Sequence, residues 1–275
     1  MTSFDPALST VDSWPATAAA AVITPAGVVA AHGPTSKVFP LASVTKPLSA
    51  LAALVAIEEG ALDLADPADE EVVPGATVRH LLAHASGLAP EGPARLAPPG
   101  TRRIYSNVGI NRLASLVEAG VETHFATYLT EAIVAPLGLE GTSLPGSAAA
   151  GGLSTVEDLS RVAFELLAPS GLLHPTTLAD ATSVQYPGLR GVLPGFGPQD
   201  PNDWGLGFEI RGTKHPHWTG ARNSPRTYGH FGQSGSILWV DPDARIGLVS
   251  LADQPFGPWA RTAWPKLADA VLDAA

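Results

Sequence analysis

The chain has no cysteine and one methionine in 275 residues, and only 15% of its residues are charged. Without cysteine there is no disulfide, no thiol nucleophile and no Cys-ligated zinc. Lysine is scarce, confined to Lys37, Lys46, Lys214 and Lys266, and no basic cluster stands out. Together with a formal net charge of −10, this argues against nucleic acid or an anionic membrane as partner. The N-terminus, Met1-Thr2-Ser3-Phe4-Asp5-Pro6, lacks a basic segment followed by an apolar one, so no signal peptide is expected. Apolar runs are too short and too rich in alanine for a membrane span. A soluble cytoplasmic protein is the expectation. Disorder is excluded as well, because 45% hydrophobic residues suffice for a full core, in one large domain or two joined lobes.

What is present has an order. Residues 17–24 and 28–31, separated by Pro25-Ala26-Gly27, predict a strand, a turn and a strand. The run Pro47 to Ile57 is apolar except for Ser49 and ends at Glu58-Glu59-Gly60, which predicts a helix buried on all sides. Further helices are expected from Thr77 to His84, Asn107 to Ala119, His124 to Ala135, Thr155 to Leu167, Thr176 to Val184, and from Trp259 onward. The alternating stretches 204–211, 235–240 and 245–252 predict strands, with Asp241-Pro242-Asp243-Ala244 turning between the last two. Strands grouped at both ends imply an α+β fold, with an antiparallel sheet built from both chain ends, flanked by helices and interrupted by an all-helical region. The expected division is residues 1–67 and 196–275 as a sheet lobe and 68–195 as a mainly helical lobe, with the active site in the cleft between them.

Three short motifs carry chemistry. Ser43 and Lys46 sit at the start of the buried helix, three apart, so their side chains share a face. Serine is a poor nucleophile without a base beside it. Burial disfavours the charged form of lysine and supplies such a base. S-x-x-K is expected by chance roughly 0.3 times in this composition, so a serine cap followed by a solvent-seeking lysine is an equal alternative for this motif alone. Tyr105 and Asn107 form a Y-x-N pair before the next helix, with a chance expectation of about 0.06. A phenol of lowered pKa beside a lysine would shuttle the serine proton. Asn107 would donate to a substrate carbonyl or hold Lys46 in place. His230-Phe231-Gly232 lies at a glycine-rich strand edge, where a ligand approaches the backbone closely. The Gln233 N–H there, with that of Ser43, would make two halves of an oxyanion hole, one such donor contributing about 3–4 kcal/mol in the transition state.

S-x-x-K, Y-x-N and H-x-G in this order resemble the serine β-lactamase and penicillin-binding protein superfamily, in its class C β-lactamase-related branch. Flanking segments agree: Arg79-His80-Leu81-Leu82-Ala83-His84-Ala85-Ser86-Gly87-Leu88, Pro99 to Asn107, and Gly151-Gly152-Leu153-Ser154-Thr155 with Asp158-Leu159. The resemblance implies Ser43 as nucleophile, Lys46 as its partner and Tyr105 as general base. Asn107, His230 and Gly232 would line the cleft, and Ser43 and Gln233 would supply oxyanion donors. Acyl transfer through an acyl-enzyme is implied, with a small ester, amide or lactam as substrate and neither metal nor cofactor. The chain departs from the pattern at Phe231, where a hydroxyl residue in many members helps bind a substrate carboxylate. It also lacks an E-x-x-L-N segment and is short for its branch. These departures favour an esterase or amidase of small uncharged substrates over a β-lactamase or D-Ala-D-Ala carboxypeptidase; a catalytically silent binding protein is the remaining reading. His80 and His84, spaced i, i+4, are expected to share a helix face without binding metal. His215 and His217 are expected in a surface hairpin.

Overall fold

The computed structural model describes residues 2–275. A short helix α1 (Asp5–Leu8) precedes β1 (Ala18–Thr24) and β2 (Gly27–His32). Then follow β3 (Phe39–Pro40), the buried helix α2 (Thr45–Glu58), α3 (Val78–Leu82) and α4 (Asn107–Val121). Next are α5 (Phe125–Leu129), α6 (Ala135–Leu137), β4 (Leu153–Ser154), α7 (Val156–Leu167) and α8 (Pro175–Ala181). The chain ends with β5 (Gly191–Leu193), β6 (Gly197–Gln199), β7 (Glu209–Ile210), β8 (Tyr228–Gly232), β9 (Ser236–Asp241), β10 (Ile246–Ala252) and α9 (Pro258–Asp273).

The main sheet has six strands in the order β2-β1-β10-β9-β8-β7. Every neighbouring pair in it is antiparallel. The fold is thus α+β, with the N-terminal hairpin closing against the last strand and the helices inserted between. β1 and β10 are buried on both faces because both are covered: α7 packs on one side, α1 and α9 on the other. Trp239 and Trp264 are fully buried in the core that α1 and α9 form with the sheet. Among the described residues no helix is long and apolar enough to cross a membrane.

Three elements differ from the sequence expectation. Residues 204–211 pair only at Glu209–Ile210, because Gly207 takes φ +88° and folds Trp204 back onto Glu209. The motif segment 228–232 is itself a strand, buried along its length and lying between β7 and β9. Gly229 and Gly232 had masked its alternation. The helix expected over 124–135 forms as α5, a π-helical turn at Thr130–Val134, and α6.

Candidate active site

α2 is the central support. Eleven of its fourteen residues are buried, which anchors its first turn against movement. Ser43 lies just before it, in a 3₁₀ turn over Ala42–Val44, with Ala42 at φ +45°. A non-glycine residue in that region is strained and persists only where its surroundings hold it. Here the Leu41 N–H donates to Gly152 O at 2.9 Å, Ser236 Oγ donates to Leu41 O at 2.6 Å, and the Gly152 N–H donates to Thr45 Oγ1 at 2.9 Å. Gly232, at the end of β8, abuts the same turn. A Cβ there would come within 2.2 Å of Leu41 O and 3.2 Å of Ser43 N. Only glycine allows this approach, which brings the Gln233 backbone alongside Ser43.

Lys46 is 1% exposed and has three partners: Ser43 Oγ at 3.1 Å, Asn107 Oδ1 at 2.6 Å and Ala149 O at 2.9 Å. Burial pushes its pKa down to about 7, against the opposing pull of the Glu91 carboxylate. Two proton arrangements satisfy this geometry. As an ammonium, Lys46 donates to all three acceptors. As an amine it donates to Asn107 and Ala149, and its lone pair accepts the Ser43 hydroxyl proton. With a pKa near 7, both are populated at neutral pH.

Tyr105 Oη donates to Ser43 Oγ at 2.7 Å. Its ring packs against His84, Trp204 and His230, with centroids 4.8, 5.8 and 5.7 Å away, and Lys46 Nζ lies 4.5 Å from its centroid. The lowered phenol pKa expected from sequence is not found. Burial raises it, so the hydroxyl stays protonated and acts as a donor toward Ser43.

Local folding explains how Tyr105 and Asn107 arrive. Ser106 caps α4 by accepting the Gly109 N–H at 2.9 Å and donates to Ala89 O at 2.6 Å, so Asn107 becomes the first residue of the helix. Arg103, 1% exposed, ties the approaching segment down through Asn202 O at 3.0 Å, Gln185 O at 2.6 Å and Ala83 O. The i, i+4 face expected for His80 and His84 does not form. α3 ends at Leu82, and His84 turns away at φ +52°. His80 completes the helix cap with Thr77 and stacks on Tyr186, while the His84 Nδ1 accepts the Ser106 N–H at 3.2 Å.

A cavity of about 100 Å³ opens beside Ser43, lined among others by Tyr105, Asn107, Trp204, Glu209, His230 and Gln233. The larger surface grooves, of about 580 and 620 Å³, are lined by other residues. Ser43, Lys46, Tyr105, Asn107, His230, Gly232 and Gln233 therefore converge. Among the residues lining this cavity, Glu209 is a charged group that no sequence motif marks. It is 1% exposed and accepts from Lys214 Nζ at 2.9 Å, His217 Nε2 at 2.8 Å and Trp218 Nε1 at 2.6 Å. The paired Lys214, with His217, holds its carboxyl far below the usual range in spite of burial. His217 is thus not on a surface hairpin but buried on a carboxylate; only His215 of that pair is exposed.

The Beta-lactamase family model matches residues 15–272. The chain belongs to the beta-lactamase family. Its members are serine hydrolases. A beta-lactamase from Mycobacterium bovis is similar at 56% identity and a TM-score of 0.94, over 97% of this chain and 98% of that one. Penicillin-binding protein 4* of Bacillus subtilis is 28% identical over 138 residues, 39% of this chain and 31% of that relative. The chain therefore spans under a third of the length of the curated relative it matches. Simvastatin synthase from Aspergillus terreus shares the fold, with a TM-score of 0.80 at 18% identity over 98% of both chains.

Proposed function

We propose that the protein hydrolyses ester or amide bonds of small substrates through an acyl-enzyme on Ser43. One observation carries this reading: Ser43 Oγ is met by Lys46 Nζ at 3.1 Å and by Tyr105 Oη at 2.7 Å. Neutral Lys46 takes the Ser43 proton as Oγ attacks the carbonyl carbon. The N–H groups of Ser43 and Gln233 receive the developing oxyanion. Tyr105 gives its proton to the departing oxygen or nitrogen and regains one from the Lys46 ammonium. Water then attacks the acyl carbon by the reverse proton path, and Oγ recovers its hydrogen. Asn107 holds Lys46 through Oδ1, and the reaction lies in the cleft where β8 meets α2 and α4.

Small ester and amide substrates are favoured by the size of the cavity, which admits a few heavy atoms. β-Lactam hydrolysis is the second reading, favoured by the 56% identity to a protein described as a beta-lactamase. Against it stands Phe231, buried among Phe196, Trp218, Phe256 and Trp264, which offers a substrate carboxylate no hydroxyl. Purified protein assayed with p-nitrophenyl acetate, butyrate and octanoate and with nitrocefin decides between them. Acetate and butyrate turned over about tenfold or more faster than octanoate, with little nitrocefin turnover, is the expected result. Nitrocefin turnover well above that of the esters would replace the first reading by the second.

A further inference from the structure

The charges around Ser43 follow a pattern that acyl transfer does not require. Glu91, on an exposed loop, accepts from Asn107 Nδ2 at 2.5 Å, and Asn107 accepts from Lys46 at 2.6 Å. A carboxylate therefore stands two hydrogen bonds from Lys46, on the solvent side. A second carboxylate, Glu209, lines the cavity from within, with its charge offset by Lys214. His230 lines it too. Its Nδ1 is 2.6 Å from Phe231 O, an atom that can only accept, so the proton is on Nδ1 and Nε2 is a lone pair. That Nε2 is buried and has no partner. Burial keeps the ring neutral down to about pH 3. No lysine or arginine is among the described residues that line the cavity. Lys46 is engaged three times over, Lys214 is bound to Glu209, and Arg102 and Arg190 line a separate groove.

We propose that Glu91 is a specificity-determining residue which makes the cleft favour acyl groups bearing an ammonium and turn away acyl groups bearing a carboxylate. The inference rests on the acyl-transfer reading at Ser43. A charge brought to about 6 Å from Glu91, at an effective dielectric between those of a protein surface and water, changes kcat/KM by about three- to tenfold.

The test uses the full chain and its Glu91→Gln variant with the p-nitrophenyl esters of glycine (cationic), acetic acid (neutral) and succinic acid (anionic). Glutamine keeps an acceptor oxygen for Asn107, and position 91 is exposed, so folding is retained. Intrinsic ester reactivity, and any change at Lys46, cancel in ratios to acetate taken between the two proteins. Loss of the carboxylate should lower the glycine-to-acetate ratio of kcat/KM about three- to tenfold and raise the succinate-to-acetate ratio similarly, both effects shrinking in about 0.5 M salt. Ratios that do not move overturn the assignment while leaving hydrolysis at Ser43 intact. Failure of the native protein to turn over any of the three esters overturns the hydrolase reading and this inference with it.

Discussion

Replacing Lys46 by methionine tests the cost of its burial. The side chain is 1% exposed, and its pKa falls from 10.5 to about 7. A group whose folded pKa lies below its unfolded value binds fewer protons when folded, so stability rises with pH between the two values. Below about pH 7 the full penalty applies; above about pH 10.5 it has gone. Each pKa unit corresponds to about 1.4 kcal/mol, so the native protein should lose about 3 kcal/mol relative to Lys46→Met between pH 9 and pH 6. The variant also leaves Asn107 Oδ1 and Ala149 O without a donor, but that cost does not change with pH and cancels in the comparison. Guanidinium unfolding of both proteins at several pH values measures the difference. Parallel stability curves would refute the reasoning, since they would mean that Lys46 titrates alike in folded and unfolded chains.

Three further outcomes follow from the same geometry. If neutral Lys46 activates Ser43, ester kcat/KM should rise with unit slope up to about pH 7 and then level, as a pH–rate profile would show; a limb near pH 10 would contradict it. Gly232→Ala puts a methyl group into Leu41 O and Ser236 Oγ, and should cut turnover about 100-fold by displacing Ser43, measured as kcat beside thermal unfolding. Glu209→Gln leaves Lys214 buried beside a neutral partner and should cost about 3–5 kcal/mol by denaturant titration. That loss should diminish at high pH as Lys214 deprotonates.

The sequence made some of this legible and hid the rest for physical reasons. Ser43, Lys46, Tyr105, Asn107 and His230 occur in short linear patterns, and α2 announces itself by an unbroken apolar run, so helix and motif could be read together. Glu91, Glu209 and Arg103 have no pattern. Each is a single polar residue in a loop or strand end, and it acquires meaning only when chain as much as 99 residues distant, as between Arg103 and Asn202, folds onto it. His217 looked exposed because it lies among turn-forming residues, yet Glu209 draws it inward. Tyr105 was expected to be acidified by a neighbouring lysine. The desolvation that makes Lys46 a weaker base also makes the phenol a weaker acid, and no sequence shows how deeply the two are enclosed.

The central claim is that one serine oxygen is made nucleophilic by the amine and phenol beside it. Intact-mass analysis after incubation with a fluorophosphonate at pH 8 tests this most directly. One adduct per chain is expected, mapped to the peptide containing Ser43, absent in Ser43→Ala and slowed about 100-fold or more in Lys46→Met. An unlabelled native protein, or a label that persists in Ser43→Ala, would contradict it.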